Sequence, residues 1–359
     1  MCPLPAAPEI THNLPPGKGF TMERALMCPQ CNAPLKPSRF ARTVTCSYCG
    51  ATVQLGEPTV SRETFRKALA AWNSPRSYPI ANWLSLGESH WAVEEMLGKG
   101  DVSDVYYGMR ARLPTELVVI KVLRDRDALQ QLDNEWETIQ TLQNSNAPGA
   151  DTFTTLIPQP VTHGTSTDGA FSGRRVNLFR WAAGFKHTFE AVQHAHPQGI
   201  PPRASIWVWR RILEVLSFVH NSGMVHGAVL PPHLLVQENE HGIRLVGYGY
   251  AGFSGRKLQV VSEEYRAFYP QGIKAGSTLT PQLDLAMSAR CVAALLGGNP
   301  ADASLPAAVP SPLAKLIRRV AQSTLNAPAD NAWALREELG SIADNVFGAP
   351  QFIPIVMPP

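Results

Sequence analysis

The sequence predicts an α+β fold in which a strand-rich segment is followed by a helix-rich one, with a small module of four cysteines in front. Three observations predict it. Two Cys-x-x-Cys pairs, Cys28–Cys31 and Cys46–Cys49, stand 14 residues apart near the start. A glycine-bearing strand–turn–strand pattern, WAVEEMLGKGDVSDVYYG, opens at Trp91, and the β-branched run ELVVIKVL follows it. Amphipathic segments then take over, the longest reading RASIWVWRRILEVLSFVHNSG over 203–223.

A chain of 359 residues suggests about two or three domains. With 44% hydrophobic and 17% charged residues it has the composition of a folded chain and can bury a large core. The net charge of +3, without a dense Lys/Arg run, is too small to argue for a nucleic-acid partner. No apolar stretch approaches the roughly 20 residues of a membrane helix. The best candidate, LDLAMSARCVAALLGG, carries Asp284 and Arg290. The start has Pro and Glu where a signal peptide has a basic and then an apolar stretch, so a cytoplasmic protein is expected.

Residues 1–26 are rich in Pro and Gly and read as a disordered leader, with Cys2 a lone surface thiol. Residues 27–56 hold the cysteine pairs. Each pair makes a tight turn that aims two thiolates at one point, and two such turns give the tetrahedral sulfur set that zinc prefers. Cys28, Cys31, Cys46 and Cys49 fill all four positions, so a structural Zn²⁺ is expected rather than a catalytic one. The segment resembles a zinc ribbon. Lys36, Arg39, Arg42 and Phe40 lie between the pairs, and they motivate an alternative in which the ribbon leads a nucleic-acid-binding module. Residues 57–90 read as a linker with one helix, SRETFRKALAAWN, in which Trp72 and Trp83 dock the linker on its neighbour.

From Trp91 to Gly348 the order of motifs resembles the protein kinases, which implies a bilobal fold: an N-lobe over 91–182, a C-lobe over 183–348, and a Pro-rich tail over 349–359. Gly98, Gly100, Ser103 and Val105 fall on the kinase Gly-rich loop G-x-G-x-x-G-x-V, with Ser103 in the third glycine position. Lys121 matches the strand-three lysine of V-A-I-K, and Glu135 the helix-C glutamate that pairs with it; Glu137 is the alternative. The resemblance makes these six residues the nucleotide site. NLFRWAAGF, from Asn177 to Phe185, resembles the hinge between lobes.

The loop VHGAVLPPHLLV resembles the catalytic loop H-R-D-x-x-x-x-N, and VGYG the D-F-G turn, but the reactive residues differ. His226 keeps the histidine. Gly227 replaces the arginine, Ala228 the base aspartate, Leu230 the lysine and His233 the asparagine, while Gly247 replaces the magnesium-binding aspartate. Phosphoryl transfer needs a carboxylate at the substrate hydroxyl and oxygen ligands for Mg²⁺. Ala and Gly offer no side-chain lone pair. Losing a positioned base alone costs roughly 10²- to 10⁴-fold in rate. Mg²⁺ is therefore not expected, and ATP is expected to bind weakly and without metal. If Asp101 or Asp104 faces the phosphates, it repels them.

The framework positions persist. Asp284 matches the helix-F aspartate that holds the loop backbone, and Tyr248 the D-F-G phenylalanine. Pro270-Gln271 stands for Pro-Glu, and Asp330 or Asn331 for its arginine partner, so that salt bridge is lost from both ends. The expected function is that of a pseudokinase, a catalytically inactive scaffold or allosteric module with a protein partner and no membrane contact. A nucleotide-binding atypical phosphotransferase is the alternative. In the first reading the apolar loop residues Val229, Leu230, Pro231 and Pro232 close the old cleft.

Overall fold

The computed structural model describes residues 26–28, 34–35, 43–47, 50–54, 82–111, 113–237, 242–323, 331–351 and 353–357. In the cysteine module, β1 (Leu26–Met27) pairs with β2 (Pro34–Leu35), and β3 (Thr43–Thr45) with β4 (Thr52–Gln54), both antiparallel. Cys28 and Cys46 are buried in a small cluster with Leu35 and Ala51. The Cys46 turn closes on itself: Cys46 N–H donates to Ala51 O and Gly50 N–H to Cys46 O, both at 2.8 Å. Cys31, Cys49, the helix expected over SRETFRKALAAWN and nearly all of the expected leader lie outside the described residues.

The N-lobe is a six-stranded antiparallel sheet. Its strands are β5 (Asn82–Leu86), β6 (Ser89–Lys99), β7 (Ser103–Arg110), β8 (Leu113–Leu123), β9 (Pro160–Thr165) and β10 (Arg175–Arg180), in the spatial order β5-β6-β7-β8-β10-β9. The lobe therefore begins earlier than Trp91. Asn82–Leu86, expected within the linker, is an edge strand, turned into β6 at Gly87, whose φ is +56°. Leu84 and Leu86 drop into the N-lobe core beside Trp91, Ile120 and Leu178. The hairpin tip between β9 and β10 returns to β5, with Thr167 N–H donating to Ser85 O at 3.0 Å and a bridge from Leu84 to Gly169. Gly169 is required there: its φ is +74°, and a Cβ would lie 2.0 Å from Trp83 O.

Register places the chemistry on one face. Gly98 is opposite Val105, Val105 opposite Lys121, Lys121 opposite Asn177, and Asn177 opposite His163. Directly opposed residues share a face. That row faces α1 (Leu129–Gln143), whose stripe Leu132, Trp136, Ile139 and Leu142 is buried. The ring of Trp136 stacks on His163 at 4.3 Å, and Asn177 Nδ2 donates to Leu132 O at 2.7 Å.

After the short α2 (Ala150–Phe153), the C-lobe contains β11 (His187–Thr188), α3 (Phe189–Ala195), α4 (Pro202–Asn221), β12 (Met224–Val225), β13 (Leu234–Gln237), β14 (Gly242–Leu245), β15 (Gly252–Phe253), α5 (Pro281–Leu295), α6 (Ser311–Ala321) and α7 (Ala332–Phe347). Pro202 starts α4 where its missing N–H costs nothing, and Gly223 ends it at φ +75°. Helix α5 is buried on nearly every face, as its all-round apolar sequence dictates. Its Ser288 Oγ accepts from Trp209 Nε1 of α4 at 3.1 Å. Among the described residues no helix is long and apolar enough to cross a membrane.

Candidate active-site cleft

The Gly-rich turn between β6 and β7 is tight, with Gly100 N–H donating to Ser103 O at 2.8 Å. Ser103 is buried and Val105 half-buried beneath it. Lys121 on β8 reaches Glu135 on α1 with Nζ at 2.8 and 2.7 Å from the two carboxylate oxygens, and Glu135 is 2% exposed. Glu135 rather than Glu137 is thus the partner, because its position on α1 faces the Lys121 row. Arg124 ties the turn down. It donates to Gly100 O, to Asp101 O at 2.7 Å, and to Asp104 Oδ1 at 3.3 Å. Arg174 lies 3.9 Å from the other Asp104 oxygen, so that carboxylate is neutralised by two guanidinium groups. Asp101 instead points across to the C-lobe, accepting from Tyr250 Oη at 3.5 Å. Burial, and then this carboxylate, push the Tyr250 phenol up to about 12.

The catalytic-loop frame is held by Asp284 of α5. One oxygen accepts from His226 N–H and the other from Gly227 N–H, both at 2.8 Å. His220 Nε2 also donates to Asp284, at 2.9 Å. His226 is fully buried between two backbone groups: Ala228 N–H donates to its Nδ1 at 3.2 Å, and its Nε2 lies 3.0 Å from Val246 O. Nδ1 must therefore accept and Nε2 carry the hydrogen. Burial holds the ring well below ordinary histidine, at about 4, against the pull of Asp284. Its edge meets the Tyr248 ring at 4.5 Å.

The positions that would act from this frame are changed in shape as well as chemistry. Ala228, Val229 and Leu230 are at most 1% exposed and sink into the C-lobe core. Gly227 has φ +72°, and a Cβ there would meet Leu279 at 2.9 Å, so the arginine's place is taken by apolar packing. His233 donates Nδ1–H to Ala228 O at 2.8 Å. Its ring lies flat against Gly247, whose φ is +83°; a Cβ at 247 would sit 2.4 Å from His233 Cδ2. Burial lowers the His233 pKa, so the ring is neutral. The two positions that hold Mg²⁺ ions in a kinase are here an imidazole packed on a bare backbone. Neither position offers a side-chain oxygen, and an imidazole and a bare backbone are a poor fit to Mg²⁺.

Three contacts carry no signal in the sequence. Asn134, next to Glu135 on α1, donates to Gly249 O at 3.0 Å and Ala251 O at 2.9 Å, which locks α1 to the Tyr248–Tyr250 turn. The Asp101–Tyr250 contact joins the Gly-rich turn to the C-lobe. Arg290 of α5 is the third. Buried at 4% exposure, it donates to Ala267, Pro300, Ala301 and Ala321 carbonyls at 2.7 to 3.2 Å. Gln271 is exposed, and Asn331 caps α7 by accepting from Trp333 N–H at 2.8 Å.

No protein-family model matches the chain, and no curated protein matches it in sequence. Solved structures do match in shape. The chain is similar to vaccinia related kinase 3 over 80% of its own length and 97% of that chain, with TM-score 0.58 and 16% identity. It is similar to the BubR1 kinase domain over 79% and 91%, with TM-score 0.55 and 14% identity. A rhoptry antigen kinase domain of Toxoplasma gondii matches over 79% and 92%, with TM-score 0.55 and 14% identity. At these identities the likeness is one of fold: residues from about β5 onward form a bilobal protein kinase-like fold.

Proposed function

We propose that this chain is a pseudokinase, a kinase-like scaffold or allosteric module that acts by binding another protein rather than by transferring phosphate. The observation that carries the reading is the His233–Gly247 contact. A lost carboxylate is restored by one substitution, but here the space for it is filled by the neighbouring ring. Ala228, with no lone pair, stands at the base position. The surviving tethers, Asp284 to the loop backbone and Asn134 to the turn, keep the shape of the loop and turn while the reactive side chains are absent.

A second reading, a nucleotide-binding phosphotransferase of unorthodox geometry, rests on the Lys121–Glu135 pair, which is built as an active kinase builds it. Incubation of the purified chain with labelled ATP and Mg²⁺ or Mn²⁺ separates the two. No phosphate incorporation into the chain or into generic protein substrates is expected. Incorporation that Lys121→Ala abolishes would install the second reading.

The cysteine module completes the proposal. Cys28 and Cys46 share one small cluster, and with Cys31 and Cys49 they supply four thiolates. The donor set suits zinc, and a hairpin pair of this size has too little core to fold alone. We read the zinc as structural.

A further inference from the structure

A second recess lies at the far end of the N-lobe sheet from the cleft. β6 runs from Ser89 to Lys99, so His90 at its start is roughly 25 Å of strand away from Gly98. There β5, the turn after β7 and the tip of the β9–β10 hairpin border an open recess of about 480 Å³, lined by Trp83, Ser85, His90, Ala111, Asp168 and Gly169. Backbone fixes each wall. Trp83 and Ser85 are two apart on β5 and share a face, and His90 stands directly opposite Ser85. Ala111 N–H donates to His90 O at 2.9 Å, and Gly169 bridges to Leu84 where a Cβ would strike Trp83 O. Ser166 Oγ donates to Asp168 O at 3.0 Å and holds the tip.

The side chains of this recess divide into two kinds. Ser85 is 2% exposed, and its Oγ lies 2.6 Å from His90 Nδ1, which orients the imidazole. Trp83 and Asp168 are exposed, and among the described residues neither the indole nor the carboxylate has a hydrogen bond, ion pair or ring contact. Arg110, the cation before the neighbouring turn, stands opposite Trp91 and so faces the other way, where Glu116 pairs with it at 3.0 Å. A carboxylate without a counter-ion beside an open indole suits an organic cation: the ring face attracts positive charge, and the carboxylate accepts its N–H groups. Ala111 and Gly169 leave room for an apolar stem. We propose that this recess binds a guanidinium or ammonium group on an apolar stem, held between Trp83 and Asp168. Such a group is carried by a free amine or by an arginine or lysine side chain of another protein. The residues are ones the cleft does not use, and the inference stands whichever way the cleft is read.

The test uses the full chain labelled with 5-fluorotryptophan and followed by fluorine NMR. The chain has 8 tryptophans, and Trp83→Phe identifies the Trp83 signal by its loss. Three probes are titrated: n-butylguanidine, the peptide acetyl-Gly-Arg-Gly-amide, and n-butylurea as the neutral counterpart. The two cations should move the Trp83 signal saturably, and n-butylurea should leave it in place. Asp168→Asn should weaken cation binding about fivefold, and added salt should weaken it in the wild-type chain. The Asp168 side chain is exposed and holds no other group among the described residues, so this variant should keep the wild-type melting temperature. Tighter binding of n-butylguanidine than of the peptide supports the site with a free amine as its ligand, and the reverse supports it with a protein side chain. A Trp83 signal that neither cation moves, that n-butylurea moves as far, or that responds equally in Asp168→Asn would overturn the proposal.

Discussion

His226 carries the most direct consequence for pH. Its folded pKa, about 4, lies below the 6.5 of an ordinary histidine. As pH falls through about 6.5 the unfolded chain takes up this proton and the folded chain does not. Stability therefore falls between about pH 6.5 and 4 and levels off below, and this one group accounts for about 3 kcal/mol. His233 adds in the same direction. Urea unfolding midpoints across that range should show the slope, and His226→Gln should flatten it. At Gly247 an added Cβ meets both a left-handed backbone and the His233 ring. Gly247→Ala should cost about 1–3 kcal/mol from the backbone alone, and Gly247→Asp should fail to create a Mg²⁺ site unless His233 is also replaced. Residue identity made Lys121, Glu135 and the missing carboxylates legible in the sequence. What identity does not encode is where a substitute packs. Nothing in the letter His at 233 says that its ring closes the space at 247.

The elements were legible wherever a period or a spacing ran long enough. The stripe of α1 and the all-round apolar α5 declare themselves, and so does the β8 run. The edge strand β5 does not. It has five residues, a Gly-Glu turn instead of a strong hairpin signal, and tryptophans that also suit a docked linker. Its membership of the lobe comes from tertiary closure on the hairpin at Gly169, which no local pattern reports. Arg290 belongs at this scale because it ties α5 to α6 and to the segments around 267 and 300. Arg290→Met removes the donor from four carbonyls, of which that of Ala321 belongs to a buried residue, and should cost about 1–3 kcal/mol, read as a lower melting temperature with the far-ultraviolet spectrum unchanged. The cysteine module gives a further test. Metal analysis of the purified chain should return one zinc per chain, and Cys46→Ser should abolish it. Folded wild-type protein free of zinc would refute a structural zinc.

Across the whole molecule, three contacts join the sheet, α1, the Gly-rich turn and the Tyr248–Tyr250 turn of the C-lobe. Lys121–Glu135 fixes α1 to the sheet, Asn134 fixes α1 to the Tyr248–Tyr250 turn, and Asp101–Tyr250 pins the Gly-rich turn to the C-lobe. In a kinase the nucleotide and its metal ions bridge these parts. Under the proposed pseudokinase reading, these protein groups hold the parts together without nucleotide. The measurement that tests this most directly is a thermal-shift titration of the chain with ATP, with and without Mg²⁺. A metal–nucleotide complex at 100 times its Kd would stabilise the fold by about 2.7 kcal/mol. The account expects no stabilisation that depends on Mg²⁺; a rise in melting temperature with ATP that Mg²⁺ enhances and Lys121→Ala removes would contradict it.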